Sequence, residues 1–349
     1  MRYRKLGTTD LSVSVICLGT MTFGEQNSQQ DGFDQMDYAL ERGVNFFDTA
    51  ELYAVMPKKE TYGKTEEILG NWFQEKKNRD KIILASKIAS KSDGLEWIRE
   101  GSENLGFDKK NMNAAIDASL RRLKTDYIDL YQLHWPERKV PKFGQLDYKH
   151  DPKDNNWTTI EEVLFNLNEL IKAGKVRHVG LSNETPWGMM KYQELSKENG
   201  FSGISTIQNP YSLLNRTFEI GMAEVCHREG IQLLAYSPLG FGVLTGKYLN
   251  NTSTPRDRLN LFPDYQRYSN PYAVESTKKY LELANKLGVS LTKLALQFVT
   301  TRPFMVSNII GATNITQLEE NILSLEINMT NEILKEIEII HASFPNPSP

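Results

Sequence analysis

Cysteine is nearly absent from this sequence. Cys17 and Cys226 are the only two in 349 residues, and neither belongs to a CxxC pair or a Cys/His cluster. A metal held by thiolates is thereby excluded, and both thiols are expected to be reduced core residues. Long apolar runs are missing as well. No stretch approaches the roughly 18 apolar residues of a membrane span, and the basic start MRYRKLGTTDLSVS has no apolar signal core behind it. The chain is expected in the cytoplasm, with no membrane partner. An excess of positive charge is lacking too: 41 Lys and Arg stand against 44 Asp and Glu, for a formal net charge of -3. Without a positive field to gather phosphates, nucleic acid is not an expected partner. Finally, no strand-like run is followed by a G-x-G-x-x-G turn. The nearest approach is Gly240 and Gly242, with Thr245 where the third glycine belongs. Lys247 follows Gly246, but Tyr248 comes next, so this is not a P-loop either.

What is present is a repeated grammar. ERGVNFFD, KAGKVRHVGLS and REGIQLLAYS each read as a helix end, a glycine (Gly43, Gly174, Gly230) and a short apolar run ending in a polar residue. The glycines sit where a helix needs a left-handed residue after its last turn. The preceding segments keep a 3.6-residue apolar period, as in Phe33, Met36 and Leu40, or Ile160, Leu164, Leu167 and Ile171. The runs between helices are apolar without strict alternation, as parallel strands covered on both faces are. Strands are expected over 13–18, 45–48, 82–87, 128–134, 176–182, 206–209, 232–237 and 308–311. Eight strands alternating with helices, with 40% hydrophobic and 24% charged residues, predict one α/β domain over residues 1–349. The expected fold is a closed (β/α)8 TIM barrel, and a doubly wound sheet is the alternative. Two connections are long and irregular, Trp135–Trp157 and Asn250–Tyr272. The first follows the fourth strand and so belongs to the barrel's C-terminal mouth.

The strand ends carry chemistry. Strand two closes on Asp48, three on Lys87, four on His134, five on Ser182 and Asn183, six on Gln208 and seven on Tyr236. In a barrel these ends meet on the face where active sites sit. Singly each residue has an ordinary reading: Asp48 as a turn former, Lys87 as a carboxylate's partner, His134 as a core histidine, Tyr53 as a packing aromatic. Together they supply what carbonyl reduction needs. Hydride arriving at a carbonyl carbon leaves charge on oxygen, and a proton must be delivered there. A phenol with a pKa near 10 is a weak acid. Lys87 would lower that pKa, Asp48 would hold the lysine, and His134 would orient the carbonyl.

FDTAELYA, ILASKI, DLYQLHW, VGLSN, IQNPYSLLNR, LLAYSPL and IIGATNITQLEEN resemble the signatures of the aldo-keto reductases, in that family's order and over nearly the whole chain. The resemblance is nearest to its longer bacterial barrel reductases, in a branch that includes potassium-channel β subunits. The opening YRKLGTTDLSVS is similar to the β-hairpin that closes the barrel's base. The resemblance implies a catalytic tetrad at Asp48, Tyr53, Lys87 and His134, with NADPH (NADP+) as cofactor and a small-molecule carbonyl as substrate. It implies nicotinamide contacts from Ser182, Asn183 and Gln208, with Tyr236 stacked on the ring. Gly19, Thr20 and Met21 would meet the cofactor from the first loop. Ser237, Leu239, Gly240 and Lys247 would hold the pyrophosphate, and Gly311, Thr313, Gln317, Glu320 and Asn321 the adenosine end. Many family members carry Lys and Arg at the 2′-phosphate where this chain has Gly311 and Gln317. The preference for NADPH is therefore assigned to Lys247 with Arg256 or Arg258. Phe23, Trp135 and Tyr265 are candidate walls of an apolar substrate pocket.

Two other classes stay open at this level: a cofactor-binding regulatory subunit of a membrane channel, and a Schiff-base lyase using Lys87. Against the first, those subunits resemble an Asn where this chain has His134. A glycosidase would need facing carboxylates, and Asp48 with Glu51 is the one local pair. None of these explains Tyr53, Ser182 and Gln208 together.

Overall fold

In a computed structural model that describes residues 1–99, 105–263 and 266–349, the chain opens with an antiparallel pair, β1 (Tyr3–Lys5) and β2 (Ser12–Ser14). Eight parallel strands then close on themselves: β3 (Ile16–Gly19), β4 (Phe46–Asp48), β5 (Ile83–Ile88), β6 (Ile128–Leu133), β7 (Val176–Ser182), β8 (Thr206–Pro210), β9 (Gln232–Tyr236) and β10 (Met305–Ile310). Each pairs with its successor, and β10 returns to pair with β3. This is the (β/α)8 barrel, and its closure disposes of the doubly wound alternative.

The expected first strand over 13–18 is two strands. At Val15 the chain changes partners: its N–H donates to Arg2 O at 3.0 Å in the hairpin, and its carbonyl accepts from Asn308 N at 2.9 Å in the barrel. An unbroken apolar run hides that break. The hairpin plugs the barrel floor, where Leu6, Leu11 and Val13 join Cys17, Phe46, Ala85, Leu130, Leu234, Val306 and Ile309 in one buried cluster. The last strand starts at Met305, three residues before its expected start, because polar Ser307 interrupts the apolar run ahead of Asn308. Both are buried: Ser307 Oγ donates to Ser14 O at 2.7 Å, and Asn308 Nδ2 to Leu296 O and Thr300 Oγ1, both at 3.2 Å, while Asn308 Oδ1 has no partner among the described residues.

Outside the strands, helices lay their apolar stripes on the barrel. Helix Gln29–Glu41 starts with a reciprocal Ser28/Asp31 cap and buries Phe33 and Met36; helix Ile160–Lys172 buries Ile160, Val163, Leu164, Leu167 and Leu170. Gly43, Gly174 and Gly230 all take positive φ, as the punctuation requires. The loop after β6 is tied at its ends. Glu137 accepts from Phe107 N at 2.5 Å and Thr158 N at 2.9 Å, and Lys139 pairs with Asp151 at 2.6 Å. Within 250–272 the chain forms a short helix, Arg258–Leu261, and a 3-10 turn, Gln266–Tyr268.

Near the foot of the barrel, Asp129 on β6 is 1% exposed. It accepts from Arg79 Nη2 at 2.7 Å, Arg177 Nη1 at 2.8 Å and Leu84 N at 3.0 Å, binding β5, β6 and β7 together. Removing one member of such a cluster strands the others. Asp129→Ala is expected to destabilise the fold by about 3 kcal/mol in urea denaturation. A loss within the range of an exposed pair, under about 1 kcal/mol, would show that these contacts contribute little.

Candidate active site

Three strand ends and one turn deliver the expected side chains to a single buried cluster. Asp48 ends β4, Lys87 is the penultimate residue of β5, and His134 follows β6 directly. Tyr53 arrives from the turn after β4, where its N–H donates to Ala50 O. None of the four is more than 9% exposed. Lys87 Nζ donates to Asp48 Oδ2 at 2.6 Å, to Thr49 O at 2.9 Å and to Tyr53 Oη at 3.3 Å, which uses every proton of an ammonium group. The Tyr53 ring also faces that cation, 4.9 Å from its centre. The His134 ring stands edge-on to Tyr53 at 5.8 Å and 78°, and its Nδ1 is buried without a partner among the described residues.

The electrostatics differ from the sequence expectation at one point. Burial raises the Tyr53 phenol above its ordinary value, and the opposing pull of Lys87 does not overcome it. The tyrosine is therefore held protonated rather than made more acidic at rest. Burial also works against a charged Lys87, yet the attraction of Asp48 and Tyr53 carries its pKa above the usual lysine range. A Schiff base requires a neutral amine, so this environment opposes that chemistry. Burial first, and Lys87 second, push His134 well below the ordinary histidine value, leaving it uncharged at neutral pH.

Sequence reasoning missed Gln132. Its Nε2 donates to Asp48 Oδ1 at 3.2 Å, and its Oε1 accepts from Gln208 Nε2 at 3.2 Å, while the same Gln208 nitrogen donates to Asp48 Oδ1 at 2.8 Å. Asp48 thus gives one oxygen to Lys87 and the other to two amides. The available signal was a polar residue two before His134 on the same strand face. Glu51 does not face Asp48: its carboxylate accepts from Ala89 N at 2.6 Å and pairs with Arg99 at 3.5 Å, so the paired-carboxylate arrangement of a glycosidase is not formed.

Beside the cluster, Ser182 Oγ donates to Gln208 O at 2.8 Å. Asn183 Nδ2 donates to His134 O at 2.9 Å and to Ser182 Oγ at 3.1 Å. The Tyr236 hydroxyl donates to Asn183 Oδ1 at 2.7 Å. Asn183 and Ser237 each follow a strand end with left-handed φ, 55° and 53°, which turns the chain sharply over the mouth. Thr20 braces Asp48 through two bonds to its carbonyl, from N at 3.1 Å and Oγ1 at 2.9 Å. Gly19 lies so close to β10 that a Cβ would come within 2.9 Å of Ile310 O. Met21 O accepts from Val55 N at 2.9 Å.

The outer residues divide. Gly240 N donates to Ser237 O at 2.9 Å in a turn with Gly240 φ of 53°, and Leu239 is half-buried beside it. Lys247 is ion-paired with Asp257, Arg256 is exposed, and the Arg258 guanidinium lies 4.5 Å from the Phe241 ring centre. Gln317 Oε1 accepts from Thr313 N and Oγ1 at 3.0 and 3.1 Å, and Asn321 Nδ2 donates to Gly311 O at 3.1 Å, so both brace the loop after β10. Glu320 is half-buried on the same helix. Trp135 stays at the site, 4.9 Å from the His134 ring. Phe23 does not: it is fully buried in the main core, under Gly32 and next to the helix stripe, which corrects its assignment to the pocket wall. Tyr265 lies outside the described residues. No helix is long and apolar enough to cross a membrane, and no cluster of three His, Cys, Asp or Glu could hold a metal, among the described residues.

Residues 15–342 match the sequence profile of the Aldo/keto reductase family. Protein tas of Escherichia coli is 44% identical over 356 aligned residues that cover both chains completely. The uncharacterized oxidoreductase YrpG of Bacillus subtilis is 33% identical across 99% of this chain and 97% of its own. Norsolorinic acid reductase B of Dothistroma septosporum is 29% identical across 99% of this chain and 84% of its own.

The depressed pKa of His134 has a stability consequence. The unfolded chain takes up a proton near pH 6.5, whereas the folded site resists it. The contribution of neutral His134 is therefore complete above that pH and is lost as the pH falls below it. Urea denaturation between pH 7 and 5 is expected to show a decline in stability that His134→Gln makes shallower. Equal slopes in the two proteins would mean that His134 titrates as an ordinary histidine.

Proposed function

The chain belongs to the aldo/keto reductase family of oxidoreductases, and on that footing we propose that it reduces aldehydes or ketones to alcohols with NADPH. The observation that carries this reading is the buried Lys87, with its three donors spent on Asp48, Thr49 and Tyr53 beside a neutral His134. The cofactor, when bound, supplies the hydride. The carbonyl oxygen then gains charge, and Tyr53 holds the proton that neutralises it. As the proton leaves, the phenolate forms against an ammonium already in place, so Lys87 stabilises the state that burial alone would penalise. Uncharged His134 has no proton to give as an acid. It serves the oxygen as a hydrogen-bond donor and orients it.

Several features fit a nicotinamide dinucleotide. Tyr236 is half-exposed beside the Ser182–Asn183 amide and hydroxyl, His134 Nδ1 awaits a partner, and the glycine turn from Gly240 to Gly246 brings backbone close to the mouth. Beyond it stand Lys247, Arg256 and Arg258, the cations assigned to the 2′-phosphate. Asp257 competes for Lys247. A phosphate there would have to share the lysine with that carboxylate.

Two experiments test the reading. Tyr53→Phe keeps the ring and is expected to retain NADPH affinity while losing about 10² to 10⁴-fold in turnover; Lys87→Met should lose comparably, and the double variant much less than the product of the two. Near-normal aldehyde reduction by Tyr53→Phe with NADPH still bound would transfer the acid role elsewhere. For the cofactor, fluorescence titration should find NADPH bound ahead of NADH, with Lys247→Ala narrowing the gap and Asp257→Asn widening it. Equal affinities in the unaltered protein would remove the NADPH assignment.

A further inference from the structure

A groove of about 250 Å³ opens beside the cluster, between the loop after β6 and the ends of β7 and β8. It connects to the chemistry along two lines. Phe143 on its rim lies 6.1 Å from Trp135, which lies 4.9 Å from His134. Asn183 on its wall is bonded to Tyr236 and to the His134 carbonyl. The floor is apolar, with Pro186, Pro210, Phe218 and Met222 among its lining.

Of its lining charges, Lys142 is the one that no group of opposite charge among the described residues meets, since Arg267 is bonded to Pro349 O and Glu184 to Arg138. Glu184 is the one lining carboxylate side chain among the described residues, and it is consumed by Arg138 at 2.6 Å and by Thr185 N at 2.7 Å. Lys142 lines the same groove, half-buried, with no carboxylate partner among the described residues. Loss of water at that position lowers its pKa, and no anion among the described residues offsets it. Arg267 also lines the groove, beside the Tyr236 hydroxyl, with its Nε donating to Pro349 O at 2.5 Å. Asn215, 1% exposed, adds a buried Nδ2 that donates to nothing among the described residues, while its Oδ1 is taken by Thr217 N and Oγ1. Asn209 contributes a buried Oδ1 without a donor among the described residues, a place for a hydroxyl.

We infer that this groove receives the tail of a carbonyl substrate bearing a carboxylate, with Lys142 as the principal counter-ion and Arg267 and Asn215 as further donors. The inference rests on the reductase reading for the identity of the reacting end. A half-desolvated ammonium without a carboxylate partner among the described residues, set over an apolar floor, discriminates by charge: an acid gains an ion pair there, and a neutral analogue gains only apolar contact.

The test pairs 4-carboxybenzaldehyde with 4-formylbenzamide, which has nearly the same shape, no charge and no strong activation of its carbonyl. With NADPH, kcat/KM is expected to favour the carboxylate by about tenfold or more through KM, the scale of a partly buried charge pair. The preference should shrink with added salt, fall to near parity in Lys142→Met and persist in Lys142→Arg. Equal kcat/KM for the two aldehydes, or a preference that survives Lys142→Met, overturns the inference and leaves the reductase reading intact. Calorimetry with 4-(hydroxymethyl)benzoate, which needs no turnover, separates the two ideas. Binding weakened about tenfold by Lys142→Met supports the groove even if neither aldehyde is reduced, in which case the reductase reading fails. No binding, or binding indifferent to Lys142, removes the groove assignment.

Discussion

Everything at the mouth of this barrel depends on keeping one ammonium group charged in a place without water. Stripping solvent from a lysine costs several kcal/mol even after relaxation, about the stability margin of a domain. The compensation here is geometric completeness. A carboxylate oxygen, a backbone carbonyl and a phenol oxygen take the three protons of Lys87 at 2.6, 2.9 and 3.3 Å. Each acceptor comes from the strand-to-loop transition after β4, so the neighbouring register of β4 and β5 is what makes the cation affordable. Asp48 is itself held, its carbonyl by Thr20 and its second oxygen by Gln132 and Gln208. The order of dependence runs from barrel closure, to strand register, to a saturated cation, to a loaded phenol.

That order also separates the two possible proton donors. Burial acts on Tyr53 and His134 in chemically opposite ways, because it disfavours the charged form of each. For a phenol the neutral form carries the transferable proton. For an imidazole the neutral form has given it up. The same buried site thus loads the tyrosine and unloads the histidine, and the neighbouring Lys87 cation reinforces the second effect. The proposed division of labour between acid and orienting group rests on solvent exclusion, not on any special property of either ring.

Most of the architecture was legible because it is periodic: helix stripes, glycine stops and apolar runs each leave a local trace, and polar residues at strand ends stand out against them. What escaped is what depends on partners distant in sequence. The break at Val15 is invisible in an apolar run because it is a change of hydrogen-bond partner. Gln132 reads as one more strand residue until Asp48 and Gln208 are seen on either side of it. Phe23 looked like a pocket aromatic by position alone, and only packing under Gly32 assigns it to the core. The resting state of Tyr53 was misjudged for a related reason: the neighbouring charge is readable from the pattern, whereas the extent of burial is a property of the assembled barrel.

The strand ends and the loops answer to different constraints. Residues on β4 to β8 are fixed by ladder hydrogen bonds and by a filled interior, which leaves little room for variation in the reacting geometry. The loop after β6 is pinned chiefly near its roots, by Glu137 to Phe107 and Thr158 and by Arg138 to Glu184. Between those roots Phe143, Leu146 and Tyr148 remain exposed. A loop anchored at its ends and carrying a few exposed apolar side chains among its charged residues can change its lining without disturbing Lys87 or its acceptors. On the proposed reading, selectivity belongs to the loop and the groove it borders, and reactivity to the barrel. Under that proposal a substitution at Lys142 and one at Lys87 would act on different terms of the same rate, the first on how a substrate is held and the second on how its oxygen is protonated.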